Sequence, residues 1–131
     1  NLRGSVVLVD IWGDYCQPCK QKFPHVLALH RKYASRGLSV VSVSVDDVAD
    51  PEVRERVKAF LHSQRATCRN LLLAEKSNVW VPKLQLNQIP GMFLFDREGR
   101  LINRWIGGEV DLTAIEARIN ELLAAEPKPG D

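Results

Sequence analysis

Cys16 and Cys19 are separated by Gln17 and Pro18, and this pair is where the chain is best equipped for chemistry. Two thiols at this spacing can join only if the segment between them turns. The start of a helix supplies the turn. It also aims free backbone N–H groups and the positive end of the helix dipole at the first sulfur. The thiolate is the attacking species in disulfide exchange, and in such motifs its pKa falls to roughly 3.5–7.5. On this reading Cys16 attacks, and Cys19, one turn further in and more buried, resolves the mixed disulfide. Pro18 suits an early helical position, where it forfeits no hydrogen bond. Gln17 faces the site and should tune its potential. The competing reading is structural zinc, which needs about four ligands. Cys68 and three histidines are the candidates left, and His25 and His30 miss the i, i+4 spacing of a helical ligand pair. Redox chemistry with no metal is the better fit.

Asp10 is the second residue out of place. It interrupts Ser5-Val6-Val7-Leu8-Val9-Asp10-Ile11, a nearly continuous β-branched run that reads as a strand buried on both faces. A charge there is costly, so the carboxyl should have a raised pKa unless it sits at a solvated strand end.

The elements that would position these groups follow from pattern. Phe23, Val26, Leu27, His30, Tyr33 and Ala34 recur at helical spacing from Pro18 to about Arg36, with Pro24 kinking the helix and Gly37 ending it. Leu38 to Val45 is a second buried strand. Asp50-Pro51 starts a second helix that ends near Gln64. Asn70 to Ala74 reads as a short strand. From Lys76 to Gln88 the pattern is ambiguous, because Ser77 could cap a helix that Pro82 would interrupt. Met92–Phe95 and Leu101–Ile106 form a hairpin through Asp96-Arg97-Glu98-Gly99-Arg100, and Leu112 to Leu123 is a C-terminal helix begun near Asp111. The order describes an α/β sandwich, parallel strands first and an antiparallel pair last.

Composition agrees with one domain. The 131 residues are 45% hydrophobic and 26% charged. A net charge of +2 is too small to argue for nucleic acid or an anionic membrane as partner. No apolar run approaches the roughly 18 residues of a membrane span. Three cysteines are too few for a disulfide framework and leave Cys68 over, best read as a small buried apolar residue. The chain opens at Asn1, so an upstream segment carrying any anchor or export signal is expected to be missing. Residues 1–125 are expected to be one domain cut from a longer protein, and 126–131 a flexible tail.

Val7-Leu8-Val9-Asp10-Ile11-Trp12-Gly13-Asp14-Tyr15-Cys16-Gln17-Pro18-Cys19-Lys20 resembles the active-site segment of thioredoxin-like proteins. Leu2-Arg3-Gly4, Phe23-Pro24, Val43-Ser44-Val45-Asp46-Asp47 and Ile89-Pro90-Gly91-Met92-Phe93-Leu94-Phe95-Asp96-Arg97-Glu98-Gly99 are similar to the TlpA/ResA branch, bacterial extracytoplasmic thiol–disulfide oxidoreductases. The resemblance implies a thioredoxin fold with a central mixed β-sheet flanked by helices. It implies a cis Pro90 packed against the dithiol, with Ile89 offering backbone groups to a substrate chain by strand addition. Trp12 would shield the site or simply pack in the core. The substrate-binding set is then Trp12, Tyr15, Gln17, Pro18, Ile89 and Pro90. Asp10 matches the buried carboxylate of thioredoxins, which implies a base for Cys19, directly or through water. Asp46 and Asp47 read as a turn, and Arg54, Arg56, Lys58 and Arg65 as a solvated helix face.

The chain departs from the family in three places. Tyr15 stands where tryptophan is common, Gly91 follows the proline where threonine is usual, which should loosen the groove, and the hairpin before Leu2 is absent. The function implied is reduction of protein disulfides by Cys16 and Cys19, in a monomer outside the cytoplasm. Its partners would be protein disulfide or dithiol substrates and an electron-donor thiol protein. No organic cofactor is called for. A peroxidase of peroxiredoxin type would be expected to carry threonine at the position of Gly13, and a non-catalytic binding domain would tolerate loss of both cysteines.

Overall fold

A computed structural model describes residues 2–125, so the expected tail at 126–131 lies outside the described residues. Five strands, β1 (Val6–Trp12), β2 (Leu38–Ser44), β3 (Arg69–Leu72), β4 (Gly91–Phe95) and β5 (Leu101–Ile106), form one sheet in the order β3-β2-β1-β4-β5. β1, β2 and β3 are parallel, while β4 runs antiparallel to both β1 and β5. The sheet is mixed and has the thioredoxin arrangement.

Strand alternation sorts β1 into two faces. Val6, Leu8 and Trp12 join a core with α1 (Gln17–Tyr33), α2 (Pro51–Ser63) and α4 (Leu112–Ala124). Val9 and Ile11 face the other way, against Trp80, Val81 and Leu84 of α3 (Ser77–Leu84). The β1–α1–β2 and β2–α2–β3 connections step outward in the same direction. Right-handed crossovers therefore lay α1 and α2 on one face of the sheet.

The caps fall where short polar side chains stand. The Asp50 side chain accepts from the Glu52 N–H, and that of Asp111 from the N–H groups of Thr113 and Ala114. Gly37 takes φ 108°, a left-handed turn leading into β2.

The ambiguous segment resolves against the sequence expectation. Ser77 is the first helical residue rather than the cap, and Pro82 lies inside α3 without interrupting it. Pro82 removes one donor near the end of an eight-residue helix, and Gln85 closes it at φ 50° with its N–H on the Pro82 carbonyl. Trp80, packed with Ile11 and Leu86, anchors the helix in spite of that loss. β3 also starts one residue earlier and ends two earlier than expected. Pro24 lies inside α1, which continues through it to Tyr33.

Candidate active site

The site forms where β1 ends and α1 begins, at the carboxyl ends of the parallel strands. β1 delivers Trp12 into the core. Gly13 then turns the chain, its carbonyl accepting the Cys16 N–H at 3.0 Å. Cys16 is the N-cap of α1, and its sulfur accepts the Cys19 N–H at 3.3 Å. Gln17 and Pro18 fill the first helical positions and are exposed. Cys16 and Cys19 are joined as a disulfide with Cα atoms 5.3 Å apart. Cys16 retains 8% exposure and Cys19 only 1%, so the two sulfurs differ in access as the spacing predicts.

The peptide bond from Ile89 to Pro90 is cis, and the Cys16 sulfur lies 3.9 Å from the Ile89 carbonyl oxygen. The Pro90 carbonyl accepts the Gly107 N–H at 2.7 Å, tying this loop to the end of β5. The structure thus brings Cys16, Cys19, Gln17, Pro18, Ile89 and Pro90 together. Tyr15 joins them as a 68% exposed aromatic at the rim. Burial, with a smaller contribution from the Asp46 charge, raises its phenol pKa.

Trp12 goes elsewhere. It is fully buried, with its ring 5.1 Å from that of Phe23 and 5.3 Å from that of Phe60. It supports the dithiol from below and presents no surface to a substrate in this structure, because its strand position points it into the helix-covered core.

Asp10 is 1% exposed, and neither carboxyl oxygen has a hydrogen-bond partner. Burial alone lifts its pKa from 3.8 to about 7. It lies on the face of β1 that packs against the helix carrying Cys19.

Asp46, read from sequence as part of a turn, does more. Its carboxylate accepts the Asp14 N–H at 2.9 and 3.1 Å and the Ser44 hydroxyl at 2.5 Å. It clamps the loop that carries Tyr15 and Cys16 onto the end of β2. Asp14 in turn pairs with Lys20 at 3.2 Å and Arg56 at 3.5 Å. Lys20 and Arg56 are therefore committed to Asp14 rather than to the thiol. Asp46 could have been suspected from its place just beyond a central parallel strand, where sites of open α/β sheets gather.

At Gly91, fully buried Leu86 fills the space a side chain would take. A Cβ at Gly91 would lie 2.8 Å from Leu86 Cδ1, so Gly91→Ala is expected to destabilise the fold by about 1–3 kcal/mol in urea denaturation. Shortening Leu86 to valine in the same chain should recover part of that loss.

Among the described residues, no three or more His, Cys, Asp or Glu gather to hold a metal ion, and no helix is long and apolar enough to cross a membrane.

Comparison with known proteins is consistent with this geometry. A family model described as thioredoxin-like matches residues 4–101. The thiol-disulfide oxidoreductase ResA of Bacillus cereus is 24% identical over 107 residues, covering 82% of this chain and 58% of the relative. ResA of Bacillus subtilis is 25% identical over 131 residues, covering 100% and 66%. The chain thus spans well under the full length of these curated relatives. Among solved structures, a Chlorobium tepidum protein assigned as thiol:disulfide interchange protein DsbE is 30% identical, with a TM-score of 0.78 over 94% of this chain and 83% of that one. A thiol-disulfide isomerase from Corynebacterium glutamicum shares the fold at a TM-score of 0.82 and 21% identity, covering 95% and 84%.

Proposed function

Because the chain belongs to the thioredoxin-like family, we propose that it is a thiol–disulfide oxidoreductase that reduces protein disulfides through Cys16 and Cys19. The observation that carries this reading is the disulfide at the start of α1, with its more accessible sulfur against the cis-proline loop.

In the reduced protein the Cys16 thiolate attacks a substrate disulfide. One substrate sulfur leaves as a thiolate, which takes a proton from water, and the other is held in a mixed disulfide with Cys16. Ile89 and Pro90 offer backbone to the incoming chain, with Tyr15, Gln17 and Pro18 at the rim. Cys19 then attacks the Cys16 sulfur, giving its proton to Asp10 directly or through water, and the second substrate thiol leaves. Two electrons have passed to the substrate, and the protein is left with the Cys16–Cys19 disulfide. A partner thiol protein restores the dithiol.

Asp10 suits the proton-accepting role because a carboxyl titrating near neutrality is well matched to a thiol. Reduction rather than oxidation is the direction that the resemblance to the TlpA/ResA branch implies. The reading extends to a monomer working outside the cytoplasm, in line with the resemblance to the TlpA/ResA branch.

Mixing the reduced protein with a disulfide-bonded test protein examines the proposal. One substrate disulfide should open for each Cys16–Cys19 disulfide formed. Recovery of intact substrate and fully reduced protein would rule the activity out.

A further inference from the structure

Strand register places Asp10 in a row across the sheet. It pairs with Ser42 on β2 and with Met92 on β4, and Ser42 pairs with Asn70 on β3. Paired residues project from the same face, and adjacent strands lie about 4.8 Å apart, so the Ser42 hydroxyl is the neighbouring polar group within the sheet. That hydroxyl has one proton, which it donates to Asn70 Oδ1 at 2.6 Å.

Asn70 allows no other arrangement. Its Nδ2 donates to the carbonyls of Ala66 at 3.0 Å and Cys68 at 2.9 Å. Carbonyls only accept, so the amide is fixed with Oδ1 toward Ser42, and that oxygen cannot donate. The Cys68 thiol donates to the same Oδ1 at 3.4 Å. Burial pushes the Cys68 pKa up, outweighing the lowering by a backbone hydrogen bond and by Arg31, and the Asp10 charge adds to the rise, so this thiol keeps its proton. The Ser42 and Cys68 hydrogens are thereby both directed to Asn70, and the Asp10 carboxyl has no partner.

We infer that Asn70 is a positioning residue of the redox site, denying the Asp10 carboxylate a donor by holding the Ser42 hydroxyl turned toward β3 and out of hydrogen-bond reach of the carboxyl. The inference rests on the reading of Asp10 as proton acceptor for Cys19. On α1, Cys19 is held in the disulfide, the buried Nδ1 of His30 has no hydrogen-bond partner, and Tyr33 donates to Glu116 of α4. Arg56 of α2 is spent on Asp14, Val57 and Phe60 of α2 are apolar, and β4 presents Met92. Burial is the sole cause acting on Asp10 itself.

Carbon-13 NMR titration of the Asp10 carboxyl in the oxidised protein tests the inference. Asn70→Ala frees the Ser42 hydroxyl to turn onto Asp10 and should lower the midpoint by about one pH unit. Ser42→Ala alone should leave the midpoint near that of the parent, and the double variant should return to it. Should Asn70→Ala not fold, Asn70→Gln keeps an amide but displaces its oxygen, and carries the same expectation. An unmoved midpoint in the folded Asn70 variant overturns the inference, as does a shift that persists without Ser42. The pH profile of mixed-disulfide resolution in the same variants separates the two readings. If the NMR midpoint moves as expected and the rate profile does not, Asn70 acts as inferred and Asp10 is not the base.

Discussion

Cys16→Ser is expected to bring disulfide reduction down to the uncatalysed background, a loss on the order of a thousandfold or more. A serine hydroxyl in the same place receives the same Cys19 N–H but does not ionise near neutrality, so the helix start has no thiolate to stabilise. Cys19→Ser should fail differently. Cys16 still attacks, but the sulfur that would release the product is gone, so substrate accumulates as a mixed disulfide. Non-reducing gels followed by peptide mass spectrometry should place the captured substrate on Cys16. The asymmetry follows from position: Cys16 caps α1 beside the cis-proline loop, and Cys19 is buried one turn in. Capture on Cys68 would contradict this assignment, because that buried thiol has its proton committed to Asn70.

The second large effect is thermodynamic. Asp10→Asn should stabilise the protein by up to about 4 kcal/mol at pH 8 and by almost nothing below pH 4. The folded carboxyl titrates at about 7 against an ordinary 3.8. Below pH 4 the acid is protonated in both states and contributes no difference. Between about 4 and 7 the unfolded chain ionises while the folded one does not, so each pH unit favours unfolding further. Above 7 the difference is constant. Urea denaturation across this range checks the sign: the parent should lose stability relative to the variant as pH rises, and the gap should level off near 7. The same substitution should slow resolution of the mixed disulfide by about a hundredfold and remove the rate inflection near neutrality. A group that burdens the fold and speeds one chemical step is the trade expected at a functional site.

What could be read from sequence was what depends on local pattern. The two cysteines at a helix start, Asp10 in an apolar run, Gly37 and Gly99 at left-handed turns, and the capping aspartates Asp50 and Asp111 are all decided within a few residues. The cis Pro90 came through resemblance, since nothing local distinguishes it from a trans proline. What escaped depends on contacts far apart in the chain. Asp46 holds the Asp14 N–H across 32 positions, and Ser42 meets Asn70 across 28, through strand registers that hydropathy does not specify. Leu86 filling the space above Gly91 and Trp80 holding α3 past Pro82 are packing facts with no periodic signature. Trp12 alternates in register with Leu8 along β1, and that alternation sends it inward.

The direction of electron flow is the central claim, and equilibrium titration of Cys16–Cys19 against glutathione tests it most directly. The reading of the protein as a reductase predicts a potential near or below that of thioredoxin, about −270 mV. A value near that of a strong oxidant such as DsbA, about −120 mV, would contradict the account and make the protein a donor of disulfides.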